Sequence, residues 1–131
     1  MHRVWFLLIL LLPPTALAQT TTQTKVREFR SANEHRIVRE FLSLLAIPNV
    51  ASDTPNVRKN AELIVQMMKQ RGLNPRLLEA QSPNVPPVVY GEWKTPNASR
   101  TLVLYAHYDG QPTDPKQWTG TLPWQPVFRT A

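Results

Sequence analysis

His107 and Asp109 are the two residues of this sequence whose types and spacing best suit catalytic or metal-binding chemistry. A neutral imidazole binds a cation such as zinc through one nitrogen, and a nearby carboxylate can accept a hydrogen bond from the other nitrogen. The same arrangement suits a histidine general base that is oriented by an aspartate. Because side chains two residues apart on an extended backbone turn to the same side, the spacing predicts that the two side chains lie together.

The segment that must position this pair is the apolar stretch at residues 101–106, which leads directly into His107. Such a stretch is typical of a strand that is covered on both faces, as in a sheet sandwiched by helices. Ligands of open α/β sheets bind beyond the carboxyl ends of the strands. A His-x-Asp pair is weak evidence by itself, and the strand before it supplies the structural context that a motif needs.

A first helix is predicted to begin at a capping box formed by Ser31 and Glu34, whose side chains can satisfy free backbone amides at a helix start. Behind this box, apolar residues recur with helical spacing, which predicts one buried helix face. The same spacing stops near Ala46, just before an Ile-Pro pair. We therefore expect the helix to end there.

A second helix is predicted to begin near Pro55, with Asp53 or Thr54 available as its N-cap. Gly72 is the expected stop, because glycine readily adopts the left-handed conformation that ends helices. Short strands are predicted at residues 76–80 and 88–93, followed by the buried strand at 101–106. Helices followed by strands, one of them buried on both faces, indicate an α/β layered domain.

The composition is that of a globular chain with the length of one domain: 131 residues, of which 42% are hydrophobic and 18% are charged. The formal net charge is +6, but the basic residues are scattered, which argues against a nucleic-acid partner. The sequence has no cysteine, so disulfides, thiolate nucleophiles and cysteine-based zinc sites are excluded. A metal site would have to use histidine and carboxylates.

Residues 1–18 have the pattern of a secretory signal peptide, with a short basic start, an apolar run and small residues at Ala16 and Ala18. The apolar run is too short for a membrane span of about 20 residues, so no stable membrane anchor is expected. Cleavage after Ala18 would leave a polar, flexible leader at residues 19–30 and a folded domain at 31–131. The expected location is secreted or periplasmic.

The stretch from Leu102 to Pro112 resembles the first metal-ligand motif of the di-zinc exopeptidases. That family includes carnosine-type dipeptidases, glutamate carboxypeptidases, aminoacylases and succinyl-diaminopimelate desuccinylases. Residues 44–50 are similar to the family's Leu-x-x-Ile-Pro-Ser-Val helix end, and residues 114–127 to the segment that follows the ligand motif. The resemblance covers about residues 34 to 129. The motifs of the dipeptidase branch are the most similar to those of this sequence.

The resemblance implies that His107 is a zinc ligand and that Asp109 is the carboxylate that orients its imidazole. It also implies a helix-sandwiched mixed sheet, two zinc ions in the full-length protein, and hydrolysis of amide bonds in dipeptides or at a peptide terminus by a metal-activated water. The family's bridging aspartate, its Glu-Glu pair and its later ligands have no counterpart among these residues. We therefore expect an N-terminal fragment, incomplete at its C-terminus and inactive alone, because a catalytic zinc normally has three protein ligands.

Two other functions stay open from the sequence. One is an N-acyl amino acid amidohydrolase of the same fold, and the other is a secreted binding module without catalysis. The expected partners are a small peptide or N-acyl amino acid substrate and, for the full-length form, a second copy in a homodimer. Asn97 begins a glycosylation sequon in a predicted turn, which has meaning only in a eukaryotic secretory pathway.

Overall fold

The computed structural model describes residues 21–82 and 84–129. The predicted signal peptide at residues 1–18 lies outside this range. The chain divides into two compact units, Met1–Glu34 and His35–Ala131. In the first unit the described residues are helical, and the second unit contains the remaining elements. Within the described range, no helix combines the length and the apolar character that crossing a membrane requires.

The first helix, α1, spans Thr21–Leu45 and extends well before the predicted start. The prediction of a capping box at Ser31 and Glu34 is wrong, because both residues lie inside the helix. Residues 21–30, which were predicted to form a flexible leader, are helical as well. These ten residues contain no glycine or proline, and five of them are Gln, Lys, Arg or Glu, all of which favour helix. The predicted end near Ala46 is confirmed.

The second helix, α2, spans Thr54–Gln70, as the sequence predicts. Asp53 is its N-cap, and the Asp53 carboxylate accepts a hydrogen bond from the backbone N–H of Asn56 at 3.3 Å. Gly72 follows the helix with a φ of +76°, a left-handed conformation that glycine adopts without strain. The best-buried residues of α2 are Val57, Asn60 and Ala61, each at most 1% exposed, so this helix provides the core of the second unit.

The two strands of the sheet, β1 at Arg76–Leu78 and β2 at Val88–Tyr90, pair in antiparallel fashion. Arg76 lies opposite Tyr90, and its guanidinium stands 5.0 Å from the centre of the Tyr90 ring, within reach of a cation–π interaction. Helix α2 packs against both strands. Both strand predictions are confirmed, although each strand is shorter than its predicted range.

Residues 101–106 do not form the buried strand that their composition predicts. The side chains of Leu102, Val103, Leu104 and Tyr105 are each 80–89% exposed. Within the described range, these residues have no pairing strand, and a strand needs a neighbour to satisfy its backbone groups. The chain thus combines helices with a sheet, as predicted, but the described residues form a two-stranded antiparallel sheet and not a helix-sandwiched mixed sheet.

Asn60 is a polar residue in this small core, and it joins α2 to the loop after α1. Its Nδ2 donates to the carbonyl of Pro48 at 2.8 Å and to that of Asn56 at 3.0 Å. We expect Asn60→Ala to lower the free energy of unfolding by about 1–3 kcal/mol, because it removes a buried side chain together with its hydrogen bond to the Pro48 carbonyl.

The matched control for this substitution is Gln66→Ala, an exposed position on the same helix. It should change stability by no more than about 0.5 kcal/mol. Thermal and denaturant unfolding of the two variants measure the difference. Equal effects of the two substitutions would contradict a special role for Asn60.

Candidate functional site

His107 and Asp109 lie in contact, in a segment without regular secondary structure. The Nδ1 atom of His107 lies 2.9 Å from the backbone carbonyl oxygen of Asp109 and 3.4 Å from Oδ1 of the same residue. A carbonyl oxygen only accepts hydrogen bonds, so Nδ1 must carry the proton in this arrangement. In the neutral ring, Nε2 then holds the free lone pair, which is the form of histidine that binds a metal or accepts a proton.

The Nε2 side of His107 faces solvent. The His107 side chain is 73% exposed, and no other described residue is hydrogen-bonded to Nε2. Asp109 is 49% exposed, so its carboxylate adds little to stability by ion pairing with a protonated imidazole. The contact therefore matters more for orienting the ring than for holding the fold.

Tyr108 points away from this pair and anchors the segment to the sheet. Its hydroxyl donates to the backbone carbonyl of Pro87, next to β2. Burial raises the pKa of Tyr108, and the nearby negative charge of Asp109 raises it further, although Arg58 opposes this shift. The phenol consequently stays neutral at physiological pH and keeps its proton for the hydrogen bond to Pro87.

The residue after Asp109 is tied to the loop that follows α1. The backbone N–H of Gly110 donates to the carbonyl of Asn49 at 2.7 Å, and the carbonyl of Gly110 accepts from Ala51 at 3.0 Å. These bonds form a parallel bridge between Val50 and Gly110. In addition, Nδ2 of Asn49 donates to the carbonyl of Tyr108 at 3.2 Å. The backbone on both sides of Asp109 is thereby fixed.

Asn49 was not assigned a role from the sequence. The one available signal was its place in the Ile-Pro-Asn-Val stretch that resembles the family. That stretch predicts the end of a helix, but it does not predict that Asn49 contacts residues 108–110. The pairing joins residues about sixty positions apart, and residue spacing along a chain does not reveal such a pairing.

A groove of about 780 Å³ runs beside the pair. Residues 105–109 form part of its wall, and Asn49 and Asn60 contribute polar groups. The rest is largely apolar and comes mainly from the end of α1, from α2 and from β2 with the prolines before it: Leu45, Val57, Ile64, Met68, Pro87 and Val89. A mostly apolar groove with a few polar groups is the usual form of a small-molecule site.

The described residues do not by themselves form a complete metal site. No group of three or more His, Asp or Glu side chains that could hold a metal ion occurs at 21–82 or 84–129. Asp114, the acidic residue that follows Asp109, is used locally, since its carboxylate accepts from the backbone N–H of Lys116 at 3.0 Å and caps a short 3₁₀ turn. His107 fits a ligand role through Nε2, and a catalytic metal would need further ligands from elsewhere.

Comparison with known proteins links the chain to metallodipeptidases. It is 28% identical over 90 residues to the Cys-Gly metallodipeptidase DUG1 of Candida albicans, covering 59% of this chain and 19% of that protein. It is 24% identical over 109 residues to the Cys-Gly metallodipeptidase dug1 of Schizosaccharomyces pombe, covering 76% of this chain and 23% of that protein. The chain thus spans about a fifth of the length of these relatives.

No model of a known protein family matches the chain, and no solved structure matches it. Both of these distant relatives are named as metal-dependent dipeptidases.

Proposed function

We propose that this chain supplies a metal ligand, His107, and Asp109, the residue that orients its ring, to a metal-dependent enzyme that hydrolyses dipeptides or terminal peptide bonds. The observation that carries the proposal is the hydrogen bond from Nδ1 of His107 to the Asp109 carbonyl, which in the neutral ring leaves the free lone pair on Nε2 of this exposed side chain. The distant relation to metallodipeptidases points to the same chemistry. The proposed metal is zinc, with two ions in the full-length protein, because cysteine is lacking and imidazole suits zinc.

The residues of this chain have three tasks in such an enzyme. The Asp109 backbone holds the His107 proton on Nδ1, and the Asp109 carboxylate lies 3.4 Å from the same nitrogen. The Tyr108 hydroxyl, bound to Pro87, keeps the segment against the sheet. The apolar wall of the groove can contact the side chain of a small peptide. A bound zinc would supply a water whose pKa is lowered toward neutrality.

The substrate class decides between the proposal and its rival, an N-acyl amino acid amidohydrolase of the same fold. The test uses the full-length protein with Cys-Gly, other unmodified dipeptides and a set of N-acetyl amino acids. We expect the dipeptides to be hydrolysed at least about tenfold faster, which corresponds to about 1.4 kcal/mol in transition-state stabilisation.

Metal removal completes this test. Dialysis against a chelator should abolish hydrolysis, because the water loses the ion that acidifies it, and added zinc should restore it. Full activity after proven metal removal would contradict the proposal, and faster hydrolysis of N-acetyl amino acids would favour the amidohydrolase. A full-length protein that hydrolyses neither class would support the third reading, a binding module.

A further inference from the structure

We propose that Asn49 is a positioning residue for His107: it fixes the backbone at residues 108–110 and so holds the imidazole in the tautomer that exposes Nε2. The metal-binding part of this inference rests on the proposed function above. The tautomer part does not, because the position of the proton can be measured without any metal.

The first support is that Asn49 makes two hydrogen bonds to residues 108–110. Its backbone carbonyl accepts from Gly110 at 2.7 Å, and its Nδ2 donates to the Tyr108 carbonyl at 3.2 Å. Asp109 lies between these two anchored residues. The carbonyl of Asp109 is the group that accepts from Nδ1 of His107, so its direction depends on the backbone that Asn49 holds.

The second support is the close packing of the Asn49 side chain on Gly110. A Cβ atom added at Gly110 would lie 2.7 Å from Oδ1 of Asn49 and 3.2 Å from its Cγ. The φ of Gly110 is outside the left-handed region, so glycine is needed here for close approach and not for backbone conformation. The Asn49 amide thus lies directly against the turn that follows Asp109.

The third support is that Asn49 lies between two groups that α2 holds in place. On one side, buried Asn60 donates to the carbonyl of Pro48 at 2.8 Å. On the other side, the backbone N–H of Asp53 donates to the carbonyl of Val50 at 2.8 Å. Helix α2 therefore fixes the loop that carries Asn49. The hydrogen bonds of Asn49 in turn hold the segment that carries His107.

The experiment compares Asn49→Ala with Asn74→Ala in the full-length protein. Asn74 is an exposed asparagine outside the groove. Long-range ¹H–¹⁵N NMR on metal-free, ¹⁵N-histidine-labelled protein reports which nitrogen of His107 carries the proton, with His107→Ala identifying the signal. We expect Nδ1–H in the wild type and in Asn74→Ala, and a mixture of tautomers in Asn49→Ala. Zinc affinity should fall about 10–100-fold in Asn49→Ala, as is typical when a ligand's support is lost.

A double-substitution cycle tests the contact with Gly110. Gly110→Ala alone should disturb the tautomer and weaken zinc binding, because its Cβ displaces the Asn49 amide. In the Asn49→Ala background the clashing atoms are gone, so Gly110→Ala should add little further effect. Independent, additive effects of the two substitutions would overturn the inference.

If Asn49→Ala does not fold, Asn49→Asp keeps the backbone carbonyl and the shape while removing the Nδ2 donor, and it should shift the tautomer in the same direction. A folded Asn49 variant with the wild-type tautomer and wild-type zinc affinity would refute the positioning role. The two proposals can also fail separately. Equal zinc binding by wild type and His107→Ala would refute the ligand role of His107, and the tautomer measurement would still decide the role of Asn49.

Discussion

Replacing His107 by alanine in the full-length protein is expected to remove one bound zinc ion and nearly all peptide hydrolysis. His107 carries an exposed Nε2 with a free lone pair, so its loss would open the coordination sphere of the metal that activates the water. Metal analysis of the purified variant, together with dipeptide hydrolysis, measures both effects. Unchanged zinc content in His107→Ala would refute the ligand assignment, whatever the activity showed.

The control for this substitution is His35→Ala, which removes an exposed histidine from α1 and should leave the zinc content unchanged. Asp109→Asn is the sharper probe of the carboxylate. It keeps the backbone carbonyl that holds Nδ1 but removes the negative charge that lies 3.4 Å from the same nitrogen. We expect a loss of about 10–100-fold in metal affinity or activity, milder than the loss of the ligand. If Asp109→Asn kept the metal affinity and activity of the wild type, the contact with the backbone carbonyl alone would be enough to orient His107.

The isolated 131-residue chain is expected to aggregate when it is produced alone. Residues 101–106 combine apolar, strand-favouring side chains with no charge and no proline, and Leu102 to Tyr105 are at least 80% exposed. Such a segment pairs readily with the same segment of other copies. Analytical ultracentrifugation and thermal unfolding measure the outcome, and a monomeric profile with a sharp cooperative transition would contradict the expectation.

A matched pair of variants locates the cause of this aggregation. Val103→Lys places a charge in the exposed segment, and Val26→Lys places one at an exposed valine of α1. Val103→Lys should keep more of the isolated chain in solution than Val26→Lys does, because a charge in the segment opposes strand pairing. Equal solubility of the two variants would place the cause elsewhere in the chain.

The elements that the sequence predicts correctly are those whose signals lie within a few residues. Asp53 and Gly72 bracket α2 as expected, because capping and left-handed turns depend on the local backbone and on one or two side chains. The turn at Asn97 is also where the sequence places it, and the φ of +59° there is one that asparagine tolerates. The start of α1 was misjudged because a capping box is a local pattern that also occurs inside helices.

The strand at residues 101–106 shows the opposite case. The apolar composition of this stretch predicts a buried strand, but burial is a property of what surrounds a segment and not of the segment itself. Among residues 21–82 and 84–129, no strand lies beside it. A strand-like composition therefore appears here as an exposed segment without regular secondary structure.

For the candidate site, the sequence by itself determined which side chains are brought together: a spacing of two residues predicts that His107 lies beside Asp109, as it does, while Tyr108 between them contacts Pro87. Only the tertiary structure decided which atom of Asp109 holds the ring and what holds Asp109. The closest partner of Nδ1 is the backbone carbonyl, and Asn49 fixes that backbone from a distant loop. Hydrogen bonds between residues far apart in the chain depend on how α2 and the loop before it pack, and that packing has no signature in the spacing of single residues.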